Sequence, residues 1–436
     1  MTPADVVARV VPANVREVCA RLAGAGHQAV TVGGAVRDAL LGRAPGDWDV
    51  ATSARPDAVL ALFRHTIPTG LQHGTVTVVT GRGVESHVEV TTFRGEGAYT
   101  DARRPDTVTF GVPLVEDLAR RDLVVNAIAF DPTQGELIDP FDGQGDLARR
   151  VLRAVGDPVA RFTEDGLRVM RAVRFAAALE FALDPATEAG IGPALPSLAK
   201  VSRERVSDEL RKLLAARQPS RGLDIAVRTG IIATIAPELA EVADAGEGRY
   251  GWIDLMRVDR APQDVRLAAM FAPLERPDRD DALAARRIDR AVVVRVQAVL
   301  AALKFSNAES ELAATLVGVA HVVRSSPWSP AEVRRTLAEL DRARRAPAVE
   351  MWASAYANAD ASELVVEARR VLAAGEPLSV GDLAIGGRDL LAAGVKPGPI
   401  VGRILALLLA RVIDDPAQNS RDVLLAAARD LALELG

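Results

Sequence analysis

The sequence predicts an α/β N-terminal head, a small mixed sheet with helices, followed by an all-α neck, body and tail. Short β-branched runs are confined to the first 150 residues: Ala29–Val32, Val76–Thr80, His87–Phe93 and Val124–Phe130, set off by Gly and Pro turns. From Val151 onward Leu, Ala and Val recur every three to four residues, the period of a helix face. Aromatic residues make up only 4%, so Leu, Val, Ile and Ala must fill the core, which suits helix packing.

A chain of 436 residues allows about three or four domains. The expected segments are a head over 1–150, a neck over 151–220, a body over 221–330 and a tail over 331–436. Joints are expected near Arg217–Ser220, Asp244–Gly251, Pro327–Pro330 and Gly375–Ser379, with a charged loop at Arg276–Asp281. No low-complexity tract or internal repeat interrupts the pattern.

Hydrophobic residues at 49% and charged residues at 25% are ordinary for a soluble globular chain. A single cysteine, Cys19, excludes an internal disulfide and fits a reducing cytoplasm. The start, Met1–Val10, lacks a basic segment followed by an apolar run, so no secretion signal is expected. The apolar stretch Ile404–Ala410 is far short of the roughly 20 residues a bilayer requires, so no membrane partner is expected. Net charge is −5, and basic charge is almost all arginine, a better bidentate phosphate ligand than lysine. GC-rich coding explains the arginine bias more simply, so local clusters must decide the partner.

In AVTVGGAVRDALLGRAPGDWDV (Ala29–Val50) an apolar strand runs into Gly33-Gly34, then into a helix carrying Arg37 and Asp38. Adjacent glycines let backbone N–H groups approach a phosphate, the helix start adds partial positive charge, and Arg37 can reach the same anion. A Gly-Gly turn alone is more often structural. Asp47-Trp48-Asp49 changes that balance, because residues i and i+2 of a strand face one side and bring both carboxylates into one space. Such crowding calls for a cation, and magnesium commonly takes carboxylates together with substrate phosphates. Glu89, on the alternating run His87–Thr91, could complete the cluster; the alternative is a solvent-facing strand residue.

These motifs resemble the class II tRNA nucleotidyltransferases, the CCA-adding enzymes and the related bacterial poly(A) polymerases. The matching residues are Gly33–Asp38, Asp47–Asp49, Arg120-Arg121-Asp122 through Asn126-Ala127, Asp139–Asp146, Glu164–Arg168 and Ser202–Leu210, in the family's order. The likeness is weaker beyond, apart from Asp382–Gly402. The resemblance implies that Asp47 and Asp49 bind catalytic Mg2+ in a two-metal reaction. It implies that Gly34 and Arg37 contact the triphosphate, and that Arg121 and Asp122 hold the incoming ribose and phosphates. Asp122 would accept from a 2′-OH and so favour NTP over dNTP; Asn126 joins the same nucleotide-binding set. Asp165 and Arg168, neighbours at i,i+3 on a helix, would set an acceptor beside a donor fork. That pair matches the amino group and ring nitrogen shared by cytosine and adenine. Uracil and guanine put a carbonyl there instead. The alternative is a surface ion pair worth about 0.3–0.5 kcal/mol. Arg171 and Arg174 continue the series as candidate nucleotide contacts.

The reaction implied is attack of a tRNA 3′-hydroxyl on the α-phosphate of CTP or ATP, with release of pyrophosphate. Within the family, Ile67–Val79 (IPTGLQHGTVTVV) resembles the tRNA-type enzymes, and Gly95–Phe110 (GEGAYTDARRPDTVTF) the loop that accompanies the switch from C to A addition. Full CCA addition is therefore expected ahead of CC-only or A-only addition or poly(A) synthesis; a non-catalytic RNA-binding protein is the remote alternative. Some relatives carry a His/Asp metal (HD) site after the core. Here Val265–Leu274 has Ala272-Pro273 in that place, and of the five histidines only His321 lies in the body, so this region reads as a degenerate scaffold. Gly386-Gly387-Arg388 and Gly394–Pro399 form turns beside Arg388, Lys396 and Arg403, which could meet tRNA phosphates or serve plain helix packing.

Overall fold

In a computed structural model, which describes residues 1–83, 86–96, 108–239, 254–274, 286–325 and 327–435, the β-branched runs of the head become one mixed sheet. Its strands are β1 (Ala29–Val32), β2 (Asp49–Thr52), β3 (Thr66–Gly70), β4 (Thr75–Val79), β5 (His87–Thr92), β8 (Ala129–Asp131) and β9 (Glu136–Ile138), with β6 (Arg94–Glu96) and β7 (Val108–Phe110) forming a separate pair. The order is β3-β4-β5-β2-β1-β8-β9. β2 runs parallel to β5, and every other neighbouring pair is antiparallel.

Alternation sets the two faces. In β5, Val88 and Val90 are buried while His87 and Glu89 are exposed, the period-two pattern of a half-covered sheet. The helix Ala13–Gly24 buries Val15, Val18, Cys19 and Leu22, spaced three and four residues apart as an apolar stripe requires. A core of Val30, Val32, Ala51, Phe93, Leu118 and Ala129 fixes the centre of the sheet.

The neck is helical, with β10 (Val151–Leu152) and β11 (Ala182–Leu183) as a small parallel pair. Asp157 caps the helix Pro158–Glu164 through the Ala160 N–H, with Pro158 at the first turn, an ordinary start signal. The next helix, Leu167–Leu179, buries Val169, Met170, Val173 and Phe175. The expectation that Asp165 and Arg168 share one helix is corrected here. Asp165 is extended, φ −134° and ψ 104°, and separates the two helices. Gly166 is what permits the junction: a Cβ there would lie 2.3 Å from the Ser197 carbonyl carbon, so only glycine lets the backbones approach. The run Val124–Phe130 is likewise not one strand, because Val124–Asn126 forms a 3-10 turn and β8 starts at Ala129.

The chain divides into two compact units, Met1–Ile235 and Ala236–Gly436, a coarser division than the four expected segments. The described part of the second unit is helical. Capping boxes at Ser306/Glu309 and Ser329/Glu332 start two of its helices, Asn307–Gly318 and Pro330–Ala338. Its last helices, Pro399–Asp414 and Arg421–Leu435, pack through Ile404, Leu408, Val412, Leu424 and Ala428. Gly394 (φ 95°) and Gly398 (φ 140°) shape the turn before the first of them. The expected joint at Asp244–Gly251, the loop at Arg276–Asp281 and the Ala98–Pro105 part of the switching-type loop lie outside the described residues. No described helix is long and apolar enough to cross a membrane.

Candidate active site

Strand register brings the motifs to one end of the sheet. Val32, the last residue of β1, pairs with Asp49, the first of β2, and with Ala129 of β8. Asp49 in turn pairs with Glu89 across the parallel β2–β5 ladder. The Gly33-Gly34 turn, the acids and Asn126-Ala127 therefore converge although they are far apart in sequence. Asp47 precedes the strand rather than lying in it, yet Asp47 and Asp49 are exposed on either side of buried Trp48, so the alternation expected of the pair is present.

The Asp49 carboxyl is pushed up to about 6, first by burial among the surrounding protein atoms and then by the negative charges of Glu89 and Asp47, with Arg121 opposing. Asp49 is exposed and faces two acidic neighbours whose charges repel its own. A bound cation would relieve that repulsion, and the donor set is all carboxylate oxygen, which fits Mg2+. Among the described residues no three His, Cys, Asp or Glu side chains gather closely enough to hold a metal by themselves. Oxygen ligands from a substrate would have to finish the shell.

Gly33 has φ 79°, and a Cβ there would come within 3.0 Å of Arg121 Nη1. The turn thus needs glycine both for its backbone and for the close passage of Arg121. Arg121 faces Asp117 at 3.6 Å, and its buried Nε has no hydrogen-bond acceptor among the described residues. A buried donor without an acceptor is costly and suits an incoming anion.

Arg37 is more committed than its sequence role suggests. Its Nε and Nη2 donate to Asp38 at 2.8 and 3.0 Å, and its Nη1 donates to Asn126 Oδ1 at 2.6 Å. Asn126 Nδ2 donates to Asp122 Oδ1 at 3.0 Å, and Arg171 Nε donates to Asp122 Oδ2 at 2.7 Å. Burial alone would raise the Asp122 carboxyl, but the Arg171 charge and the bonds from Asn126, Arg171 and the Leu123 N–H hold it well below the usual carboxylate range.

Asp165 and Arg168 are not paired through their side chains. Asp165 pairs with Arg205 at 2.9 Å, whereas Arg168 donates to Glu164 at 2.6 Å, the Arg161 carbonyl at 3.0 Å and the Arg120 carbonyl at 2.9 Å. Arg174 pairs with buried Glu209 at 2.5 Å. Sequence reasoning missed Arg205 and Glu209, although both lie in the quoted segment SRERVSDEL. It also missed Asp117, buried and bonded to Arg120 and the Arg94 N–H, and Phe175. For Phe175 a signal existed: it falls four residues after Arg171, on the same helix face.

The fold and the carboxylate pair define a nucleotidyltransferase head: residues 29–153 match the Poly A polymerase head domain. Residues 180–242 match an RNA- and SrmB-binding site of polymerase A, and residues 288–428 match tRNA nucleotidyltransferase domain 2. The chain is 37% identical over 403 residues to the CCA-adding enzyme of Geobacillus stearothermophilus, covering 91% of each, and 35% identical over 433 residues to that of Levilactobacillus brevis, covering 95% of this chain and 97% of that one. The crystal structure of the Bacillus stearothermophilus CCA-adding enzyme in complex with CTP superposes with a TM-score of 0.69 at 32% identity, covering 96% of this chain and 97% of that one. A Thermotoga maritima CCA-adding enzyme complexed with tRNA shares the fold, with a TM-score of 0.67 at 17% identity and coverage of 99% and 98%. The chain belongs to the CCA-adding enzyme family.

Proposed function

We propose that this protein completes tRNA 3′ ends by adding CMP and AMP from CTP and ATP, without a nucleic-acid template, in the cytoplasm. The observation that carries the assignment of the site is the register of Val32, Asp49 and Glu89, which sets the glycine turn beside the acids. Asp47 and Asp49 are the residues that would hold Mg2+, with Glu89 adjacent; the metal ions, when bound, align the attacking and leaving oxygens and neutralise developing charge. The Gly33-Gly34 backbone and the open Nε of Arg121 receive phosphate oxygens. Arg37 acts from its fixed place between Asp38 and Asn126. Asp122 accepts three hydrogen bonds, from Leu123, Asn126 and Arg171, which leaves about one of a carboxylate's four lone-pair sites for a ribose hydroxyl.

For base choice, Asp165 accepts from the amino group of cytosine or adenine, and the base displaces Arg205 from it. Arg168, gripped by two carbonyls and Glu164, is held in a fixed position from which it donates to the adjacent ring nitrogen. The basic turns around Arg388 and Lys396 offer contacts to tRNA. The deciding experiment supplies tRNA lacking its 3′ end with CTP and ATP, separately and together, and sequences the products. CCA ends are expected. Products stopping at CC, single A additions or A tails would each overturn full CCA addition.

A further inference from the structure

We propose that Phe175 is a positioning residue that sets the guanidinium groups of Arg37 and Arg171 for nucleotide binding, a role that rests on the reading of the site given above. Phe175 is 7% exposed, and three guanidinium carbons surround its ring: Arg174 at 3.9 Å, Arg37 at 5.0 Å and Arg171 at 5.5 Å from its centroid. Arg37 comes from the helix after the glycine turn, whereas Arg171 and Arg174 come from the neck helix Leu167–Leu179.

The contacts close a circuit. Arg37 donates to Asn126, Asn126 to Asp122, and Arg171 to Asp122; Arg171 and Arg37 then meet again at the Phe175 ring. Each cation also has its own acid, Asp38, Asp122 or Glu209. Cations gathered about one point repel, and an aromatic ring offers them a negative face that an aliphatic side chain of similar size does not. A leucine would fill much of the space and lose that attraction. Both cations attend the phosphate and ribose end of the nucleotide, common to CTP and ATP, so loss of the ring weakens both substrates alike and leaves base choice untouched.

The test compares full-length wild type with Phe175→Leu, Phe175→Met and Phe175→Tyr, measuring kcat and KM for CTP, ATP and end-truncated tRNA alongside thermal unfolding. Leu and Met are expected to raise KM for CTP and ATP about tenfold each, equivalent to about 1.4 kcal/mol. KM for tRNA should stay near wild type, and Tyr should restore nucleotide KM. Should Leu fail to fold, Met carries the same comparison. Unchanged nucleotide KM in the folded aliphatic variant would reduce Phe175 to core filling and overturn the proposal. Equal loss for tRNA, or failure of a folded Tyr variant to rescue, would overturn it as well. The functional reading fails separately, if wild type itself adds neither CMP nor AMP.

Discussion

Asp47 and Asp49 flank a buried tryptophan and look into one space, so each should be indispensable in every round. Asp47→Ala or Asp49→Ala is expected to abolish both C and A addition while tRNA binding in a filter or gel assay stays near wild type. Near-normal rates at ordinary magnesium would remove the residue from the site. Asp165 makes a sharper case, since among the described residues its salt bridge is to Arg205, from a different helix. A site built on hydrogen bonds rejects a mismatched base because buried groups go unpaired. Asp165→Ala should therefore admit UTP or GTP at measurable rates while CTP and ATP incorporation falls; unchanged selectivity would leave Asp165 a partner of Arg205 and nothing more. Single residues of this kind stand out in the sequence as candidates, by the fixed spacing of acids, glycines and arginines. Their partners do not. Spacing places Arg168 near Asp165, but Asp165 itself is extended and lies outside the helix that carries Arg168, and the arginine that reaches Asp165 lies 40 positions away in sequence.

The helix Arg203–Leu214 shows what an element contributes beyond its residues. It carries Arg205 to Asp165 and Glu209 to Arg174, so it braces both the neck helix and the junction that precedes it. Glu209 is 3% exposed, and removing one member of a buried pair leaves the other uncompensated. Glu209→Gln is expected to cost about 3 kcal/mol in denaturant unfolding, with a smaller effect for Arg205→Gln at its more open site. A Glu209→Gln protein as stable as wild type would show that Arg174 finds another partner. For the loop resembling the family's switching loop, replacement of Ala98–Pro105 by a short Gly-Ser link should slow A addition far more than C addition; equal slowing would deny it a part in the switch. The strands β1, β4 and β5 were readable from β-branched runs, and β1 agrees with its run at both ends, whereas β3 has no such run. Strands of two or three residues, such as β8 to β11, carry too few side chains for a period to show, and Val124–Val125 owe their turn to packing rather than to propensity.

At the scale of the whole molecule, the single thiol reports on the integrity of the first compact unit. Cys19 is buried in the head, and burial, aided by the charge of Asp131, pushes it up to about 12. An unfolded thiol ionises at about 8.5, so the unfolded chain loses its proton first and the folded form is favoured less as pH rises beyond that value. Iodoacetamide should leave the native protein unlabelled at about pH 8 and label it only under unfolding conditions. Rapid native labelling would mean that the Ala13–Gly24 helix opens readily.

The ladder that sets Asp49 beside Glu89 also constrains when the protein can begin to work. Val32 must find both Asp49 and Ala129, and the second of these is reached only after a long stretch of chain has closed. Distant pairings such as Val32 with Ala129, and the parallel one of Asp49 with Glu89, form slowly, because the entropy of closure is spent before any contact returns it. A nascent chain that has not yet emerged through β8 holds the acidic residues but lacks the neighbour that completes β1. Competence at the ribosome is therefore expected to arrive in one late step, with no partly active head preceding it.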